Sequence, residues 1–268
     1  MRTFPLVVML LSLRRCLSLV KSSSAFPKVL DGVSMESLLA RIRENNSIDK
    51  TTADKFLPFM LGDDNIGYIN KDIWYSKLVH FPDVLRLSSH AIHFTDDLAS
   101  ADSSRRTEAI ARITSSLRLD GTIVGWRDEL VEALTEFSRS PVFLVERAAY
   151  PFFGIRGYGV HINGFIRNPV DRKVMKLWVA RRSSTKSTFP SMLDHIVAGG
   201  LPTGVTIEEN VVKECDEEAS IPEHIATEAS PGGIVSYSLV DSQNNLKRDV
   251  LFCYDLGTLF DLISCHLI

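Results

Sequence analysis

The sequence is short of cysteine, of net charge and of long apolar runs. Its four cysteines, Cys16, Cys215, Cys253 and Cys265, stand without CxxC spacing or a paired histidine motif. That argues against a disulfide framework or a zinc site and favours a reducing compartment. A formal net charge of -3 supplies no chain-wide attraction to nucleic acid, so no nucleic-acid partner is expected. The apolar stretch at residues 4–13 is too short to span a bilayer, and no membrane partner is expected either. What is present is ordinary globular material: 45% hydrophobic and 24% charged residues exclude collagen-like and wholly disordered classes, and 268 residues leave room for two compact units.

The first residues read as a presequence. Residues 4–13 are flanked by Arg2, Arg14 and Arg15, basic and serine-rich residues follow, and no acidic residue occurs before Asp31. This predicts an organellar transit peptide over residues 1–34, with organelle import favoured over secretion. Beyond it, residues 35–45 and 105–118 carry apolar residues at helical spacing, and residues 126–137 repeat that pattern with Leu130, Leu134 and Phe137. Phe56, Phe59, Gly62, Gly67 and Trp74 predict short strands and turns. The apolar stripes, and the tryptophans Trp74, Trp126 and Trp178, are expected in the core. Composition shifts near residues 147–159, giving a boundary between an upstream mixed α/β domain (35–147) and a second domain (148–268). In the second, residues 160–166 and 174–180 predict a hairpin across Asn168-Pro169. Residues 195–198 predict a third strand, and residues 234–240 and 249–254 a hairpin across Asn244-Asn245. His161 and His195, beside apolar runs, are expected to be packed and hydrogen-bonded.

The informative segment runs from Gly199 to Ile221, GGLPTGVTIEENVVKECDEEASI. Thr206 and Glu209 have capping-box spacing, which starts a helix near Ile207. Ile207, Val211, Val212 and Cys215 then face a core, while Glu214, Glu217 and Glu218 share a second face. Like charges at that spacing cost a few tenths of a kcal/mol, roughly, unless a hard divalent cation reverses the sign. From the helix alone, a solvated acidic face remains open.

The loop and helix together resemble the Nudix signature G-x5-E-x7-R-E-U-x-E-E-x-G-U, where U is a bulky aliphatic residue. Gly199 takes the first glycine, Lys213 the arginine, Glu214 the next glutamate, Glu217 and Glu218 the pair, and Ile221 the final U. Val205 stands where the first glutamate is expected, Cys215 at the first U and Ser220 at the last glycine. Upstream, DGTIVGWRDEL, VERAAYPFFGIRGYGVHINGF and LWVARRSSTKSTFPSMLDHIVAGG resemble a subgroup containing plant plastid Nudix hydrolases and the Nudix part of fungal thiamine pyrophosphokinase fusions. The resemblance implies an α+β chain, with a C-terminal Nudix α/β/α sandwich after a smaller mixed α/β domain. It also implies Mg²⁺ or Mn²⁺ as cofactor and a small-molecule partner, thiamine diphosphate or its oxidised derivatives, cut to the monophosphate and phosphate. By the same resemblance Glu214 and Glu218 are metal ligands, Glu217 is a ligand or water activator, Lys213 orients carboxylates, and the Gly199 carbonyl completes the shell. Lys186, Arg181 and Arg182 are candidate phosphate contacts. After Leu256 the sequence departs from the family, and Leu259, Phe260, Leu262 and Ile263 are expected to form a substitute helix. The alternative function is a catalytically silent diphosphate-binding or partner-binding relative. Oligomeric state is left open.

Overall fold

The computed structural model describes residues 35–257 apart from 47, 169, 172, 173, 187 and 188. The expected presequence and the substitute C-terminal helix lie outside the described residues. The first part of the chain runs α1 (Met35–Glu44), α2 (Lys50–Ala53), β1 (Phe56–Leu61), β2 (Asp64–Asn70) and α3 (Lys71–Ser76). It continues through β3 (Leu85–Ser88), β4 (Ala91–Phe94), α4 (Asp96–Ser100), α5 (Ser103–Leu119), β5 (Leu130–Ala133) and β6 (Phe143–Glu146). Strands β2-β1-β4-β3 form one sheet and β5-β6 a separate pair. Asp102 caps α5 by accepting from the Arg105 amide, so Ala109, Ile110, Ile113 and Leu117 present one buried face. That face joins Phe59, Phe94, Phe143 and Phe153 in a single hydrophobic cluster. The four phenylalanine rings sit 5.1–6.3 Å apart, tilted or edge-on.

Two local expectations are corrected here. Residues 126–137 are not helical: they hold strand β5, and Asp128 takes a positive φ of 56°. The buried Glu146 carboxylate accepts from the amides of Arg127, Glu129 and Ala148, so tertiary acceptors satisfy donors that a helix would have satisfied internally. Trp74 lies on α3, capped by Asn70 accepting from the Asp72 amide, and not on a strand or turn; its core position is as expected.

The second part comprises β7 (Arg156–Arg167), β8 (Val174–Leu177), β9 (Ala180–Arg181), β10 (Leu193–Asp194) and β11 (Val197–Gly200). Helices α6 (Ile207–Ala219) and α7 (Glu223–Ala226) and the strands β12 (Ser230–Val240) and β13 (Leu246–Gly257) follow. The sheet order is β11-β7-β13-β12, with β8 also pairing β7. At its centre β7 and β13 run parallel, Val160 opposite Phe252, while the other pairings are antiparallel. The two expected hairpins are present as β7-β8 and β12-β13, and Asn244 takes the left-handed turn conformation, φ 61°. Val160, Ile162, Val197, Val211, Cys215, Ile221 and Leu256 form a second cluster between the sheet and α6. Each buried aliphatic side chain there contributes roughly 1.5–3 kcal/mol. The chain is thus mixed α/β, as expected.

The 3-10 turn Tyr150–Phe153 belongs to the first cluster through Phe152 and Phe153, also contacts β13, and ends on Gly154 at φ 57°. A Cβ at Gly154 would stand 2.0 Å from the Tyr68 carbonyl oxygen, so steric exclusion and backbone sign both demand glycine. Gly154→Ala is expected to destabilise the chain by about 2 kcal/mol or more, read as a lower urea midpoint. An unchanged midpoint would refute the close approach.

Candidate active site at the Gly199-Gly200 strand

The glycine loop feeds α6 as the sequence predicts. Thr206 accepts from the Glu209 amide at 3.2 Å, and Glu209 accepts from the Thr206 amide at 2.9 Å, a complete capping box. Val211 and Cys215 are buried, and Ile207 and Val212 pack at the rim of the same cluster. Ser220 ends the helix at φ 49°, the left-handed conformation that explains why the family pattern has glycine there; serine bears a cost of about 1–2 kcal/mol. Val205 borders a small pocket of mixed character, lined by Leu134, Phe137 and Pro202 and also by Glu132 and Arg156.

With the apolar face fixed, the carboxylates fall along the flank of α6 beside β11. Glu214 is buried, Glu218 half-buried and Glu217 exposed. Glu218 accepts from the Ala198 amide at 2.9 Å. Glu214 lies so close to β11 that a Cβ on Gly199 would stand 1.9 Å from its carboxyl carbon. The Gly199 carbonyl oxygen lies beside Gly159 of β7, 2.7 Å from where a Cβ would be, so the role visible for Gly199 is to leave room for Glu214. Lys213 donates to Glu214 at 3.2 Å and to Glu217 at 2.9 Å, orienting both. Burial pushes the Glu214 carboxyl above its ordinary value, partly offset by Lys213. Burial alone would lower the Lys213 pKa, but the hydrogen bonds to Glu217 and Glu214 outweigh it and the net shift is upward.

Among the described residues, no group of three His, Cys, Asp or Glu side chains is gathered closely enough to hold a metal ion as it stands. The donor chemistry nevertheless fits a hard cation. The helix flank offers carboxylate oxygens only, the glycine cradle admits Glu214, and a positively charged group already bridges two of the three glutamates.

On the opposite face of β11, Gly200 does the same for a cation: a Cβ there would stand 2.5 Å from the Arg147 guanidinium. Arg147 pairs with Glu129 at 2.8 Å, and Asn210 donates to the Gly200 carbonyl at 3.1 Å. Arg147 borders a cleft of about 200 Å³ between the Tyr150–Phe153 turn and the sheet, lined also by Tyr150, His161, Arg182, Asp194, Lys247 and Asp249. Asp249 is the hub: it accepts from Tyr150 at 2.9 Å, from Tyr237, and pairs with Lys247 at 3.2 Å. Of the three cations expected to meet phosphate, Arg182 alone lines this cleft, and it pairs with Asp194 at 2.8 Å. Arg181 donates to the Ser191 carbonyl and Lys186 is exposed in a turn. Sequence reasoning missed Arg147, Tyr150 and Asp249, although the first two sit inside the quoted segment VERAAYPFF.

The rings of His161 and His195 lie 4.5 Å apart, tilted by 55°, and His195 Nδ1 lies 3.0 Å from the Asn163 side-chain oxygen, which makes it the packed histidine the sequence predicts. His161 Nδ1 and His195 Nε2 are buried without a hydrogen-bond partner, so that expectation holds only in part.

The description "domain of unknown function (DUF4743)" matches residues 37–157, the stretch ending in Arg147 and Tyr150. Nudix hydrolase 24, chloroplastic, of Arabidopsis thaliana is 41% identical over 84% of this chain and 60% of its own length. Nudix hydrolase 20, chloroplastic, of the same plant is 43% identical over 75% of this chain and 54% of its own length. The chain is related to the Nudix hydrolases. It spans little more than half the length of these curated Nudix relatives, and a Deinococcus radiodurans Nudix hydrolase matches 22% of it at 40% identity. Two solved structures align with parts of the Nudix-related chain. A Methanosarcina mazei MutT protein is 20% identical, covers 42% of this chain and 71% of its own, and has a TM-score of 0.30. An Enterococcus faecalis MutT/nudix family protein is 12% identical, covers 59% and 49%, and has a TM-score of 0.30. No helix among the described residues is long and apolar enough to cross a membrane.

The histidine pair sets a pH dependence. Burial pushes the His161 pKa down from 6.5 to about 4, and burial, followed by the neighbouring His161, holds His195 well below its ordinary value. The unfolded chain therefore binds more protons between about pH 6.5 and pH 4. Stability is fully present above that window and erodes as pH falls through it, by on the order of 1–3 kcal/mol. Glu214, with its raised pKa, works in the opposite direction. His161→Gln should flatten the fall in urea midpoint between pH 7 and pH 4.5; an unaltered slope would show that the ring is not held neutral.

Proposed function

We propose that this chain hydrolyses the diphosphate bond of a small organic diphosphate, with thiamine diphosphate and its oxidised derivatives as the favoured substrates. The observation that carries the reading is the convergence of Glu214 and Glu218 on adjacent positions of one strand, Glu214 against Gly199 and Glu218 on the Ala198 amide. Residues 148–268 act as the hydrolase domain and residues 35–147 as the upstream domain.

Glu214, Glu218 and Glu217, with Gly199 beside them, would hold Mg²⁺ or Mn²⁺, which supplies charge neutralisation at the phosphates and a more acidic bound water. Lys213 keeps Glu214 and Glu217 oriented toward one another. Glu217, exposed on the helix flank, is the group placed to take a proton from the attacking water. The oxygen of that water forms the new bond to phosphorus, the bridging P–O bond breaks, and the products are the organic monophosphate and inorganic phosphate. Arg181 and Lys186, which do not line the cleft, remain candidates for outer phosphate contacts, whereas Arg182 lines the cleft and is already paired with Asp194.

Similarity to two chloroplastic relatives and the basic N-terminal sequence support plastid import; a fusion of residues 1–34 to a reporter should enter plastids, and export to the medium would overturn that. A second reading, a diphosphate binder without turnover, draws on the Lys213 bridge between two glutamates and on Val205. A substrate-induced rise in melting temperature with no phosphate release would establish it.

Glu218→Gln and Glu214→Gln are each expected to lower Mg²⁺-dependent phosphate release from oxidised thiamine diphosphate by about 100-fold or more, with the circular dichroism spectrum unchanged. Unimpaired turnover in Glu218→Gln would be fatal to the hydrolase reading. Gly199→Ala should act in the same direction, because the added methyl displaces Glu214.

A further inference from the structure

The cleft on the far face of β11 has a chemistry of its own. We propose that it holds the organic half of the substrate, that the upstream segment supplies one of its walls through Arg147 and Tyr150, and that it selects a planar, uncharged or cationic nitrogen heteroaromatic ring. This rests on the diphosphohydrolase reading for the other half of the substrate.

The wall is seated by absent side chains. A Cβ at Gly157 would stand 2.9 Å from the Tyr150 ring and from Asp249 Oδ1, and one at Gly200 would stand 2.5 Å from Arg147 Nη2. Both glycines therefore exist in a form that lets the upstream segment rest on sheet backbone. The cleft shares strand β11 with the carboxylate helix, since Ala198, Gly199 and Gly200 border it and Gly199 also touches Glu214. β11 is the outer strand of its path through the sheet, so one molecule can reach both faces around it.

The charges argue against a phosphate in the cleft. Arg147 pairs with Glu129 at 2.8 Å, Arg182 with Asp194 at 2.8 Å, and Lys247 with Asp249 at 3.2 Å. An incoming polyanion would have to compete with three carboxylates already paired at the rim, and would lie beside Asp194 and Asp249. A flat ring meets none of that repulsion. Tyr150, Tyr158 and Phe189 supply aromatic surface, and His161, a lining residue whose Nδ1 has no hydrogen-bond partner, can read one ring nitrogen or exocyclic amine. A cationic ring gains in addition from the aromatic faces.

The test uses the full chain and three phosphate-free probes: thiamine as a cationic ring, nicotinamide as an uncharged one and orotate as an anionic one. Calorimetric titration is expected to show thiamine and nicotinamide bound and orotate at least tenfold weaker. Arg147→Lys, Tyr150→Phe and His161→Gln should each weaken thiamine binding about fivefold or more, with the dichroism spectrum as the check that each variant is folded. In turnover, the ratio of kcat/KM for thiamine diphosphate over isopentenyl diphosphate should fall by at least tenfold in His161→Gln. Orotate bound as tightly as thiamine, or an unchanged ratio in all three variants, overturns the proposal. Absence of ring selectivity in the unaltered chain, while Glu218→Gln still abolishes turnover, sinks this inference alone. Ring binding that persists while Glu218→Gln leaves turnover intact sinks the hydrolase reading and leaves the cleft standing.

Discussion

Two successive positions on one strand carry no side chain, and the arrangement of the whole site follows from that vacancy. Successive residues of a strand point to opposite faces. Gly199 therefore opens the face toward α6, where Glu214 moves in, and Gly200 opens the face toward the upstream segment, where Arg147 moves in. A carboxylate and a guanidinium thus approach the same few ångströms of backbone from opposite sides. Neither could do so past a methyl group. The rest of the second part of the chain holds that strand in place: the pairing of β11 with β7, the Glu218 contact with the Ala198 amide, and the Asn210 contact with the Gly200 carbonyl.

The upstream segment is tied to the sheet by polar as well as apolar contacts. Asp249 accepts from Tyr150 of the upstream turn and from Tyr237 of β12, and burial, with Asp249 next, keeps both phenols well above their ordinary pKa. A buried carboxylate is tolerated only when its lone pairs are occupied, and here two hydroxyls and Lys247 occupy them. Removing one partner leaves the others facing an underused charge, so the node resists partial change.

Local signals were legible in the sequence wherever the cause is local. The capping box of Thr206 and Glu209, the core face of α6 and the Asn244 turn each depend on a few neighbouring residues, and each stands where the pattern put it. Residues 126–137 failed for the opposite reason: Glu146, distant in sequence, takes over their amides, and no periodicity within the segment can announce that. The roles of Arg147 and Tyr150 were hidden in the same way. They lie in a conspicuous motif, but what they touch is decided by glycines at Gly157 and Gly200 in the other part of the chain. The Gly199 signal was visible as a motif glycine, while the room it leaves for Glu214 emerges only from the packing of α6 against β11.

The central pairing of β7 with β13 has a kinetic meaning. It sets Arg156 beside Arg248 and Phe165 beside Gly257, and the long crossover between those strands contains β11, the glycine loop and α6. Closing such a loop costs chain entropy before any long-range contact repays it, so the parallel pair is a late event in assembly. The hairpin β12-β13 can form early from neighbours, and the carboxylate helix can nucleate at its own cap. The juxtaposition of Glu214 and Arg147 across Gly199 and Gly200, by contrast, comes into being only once the crossover has closed.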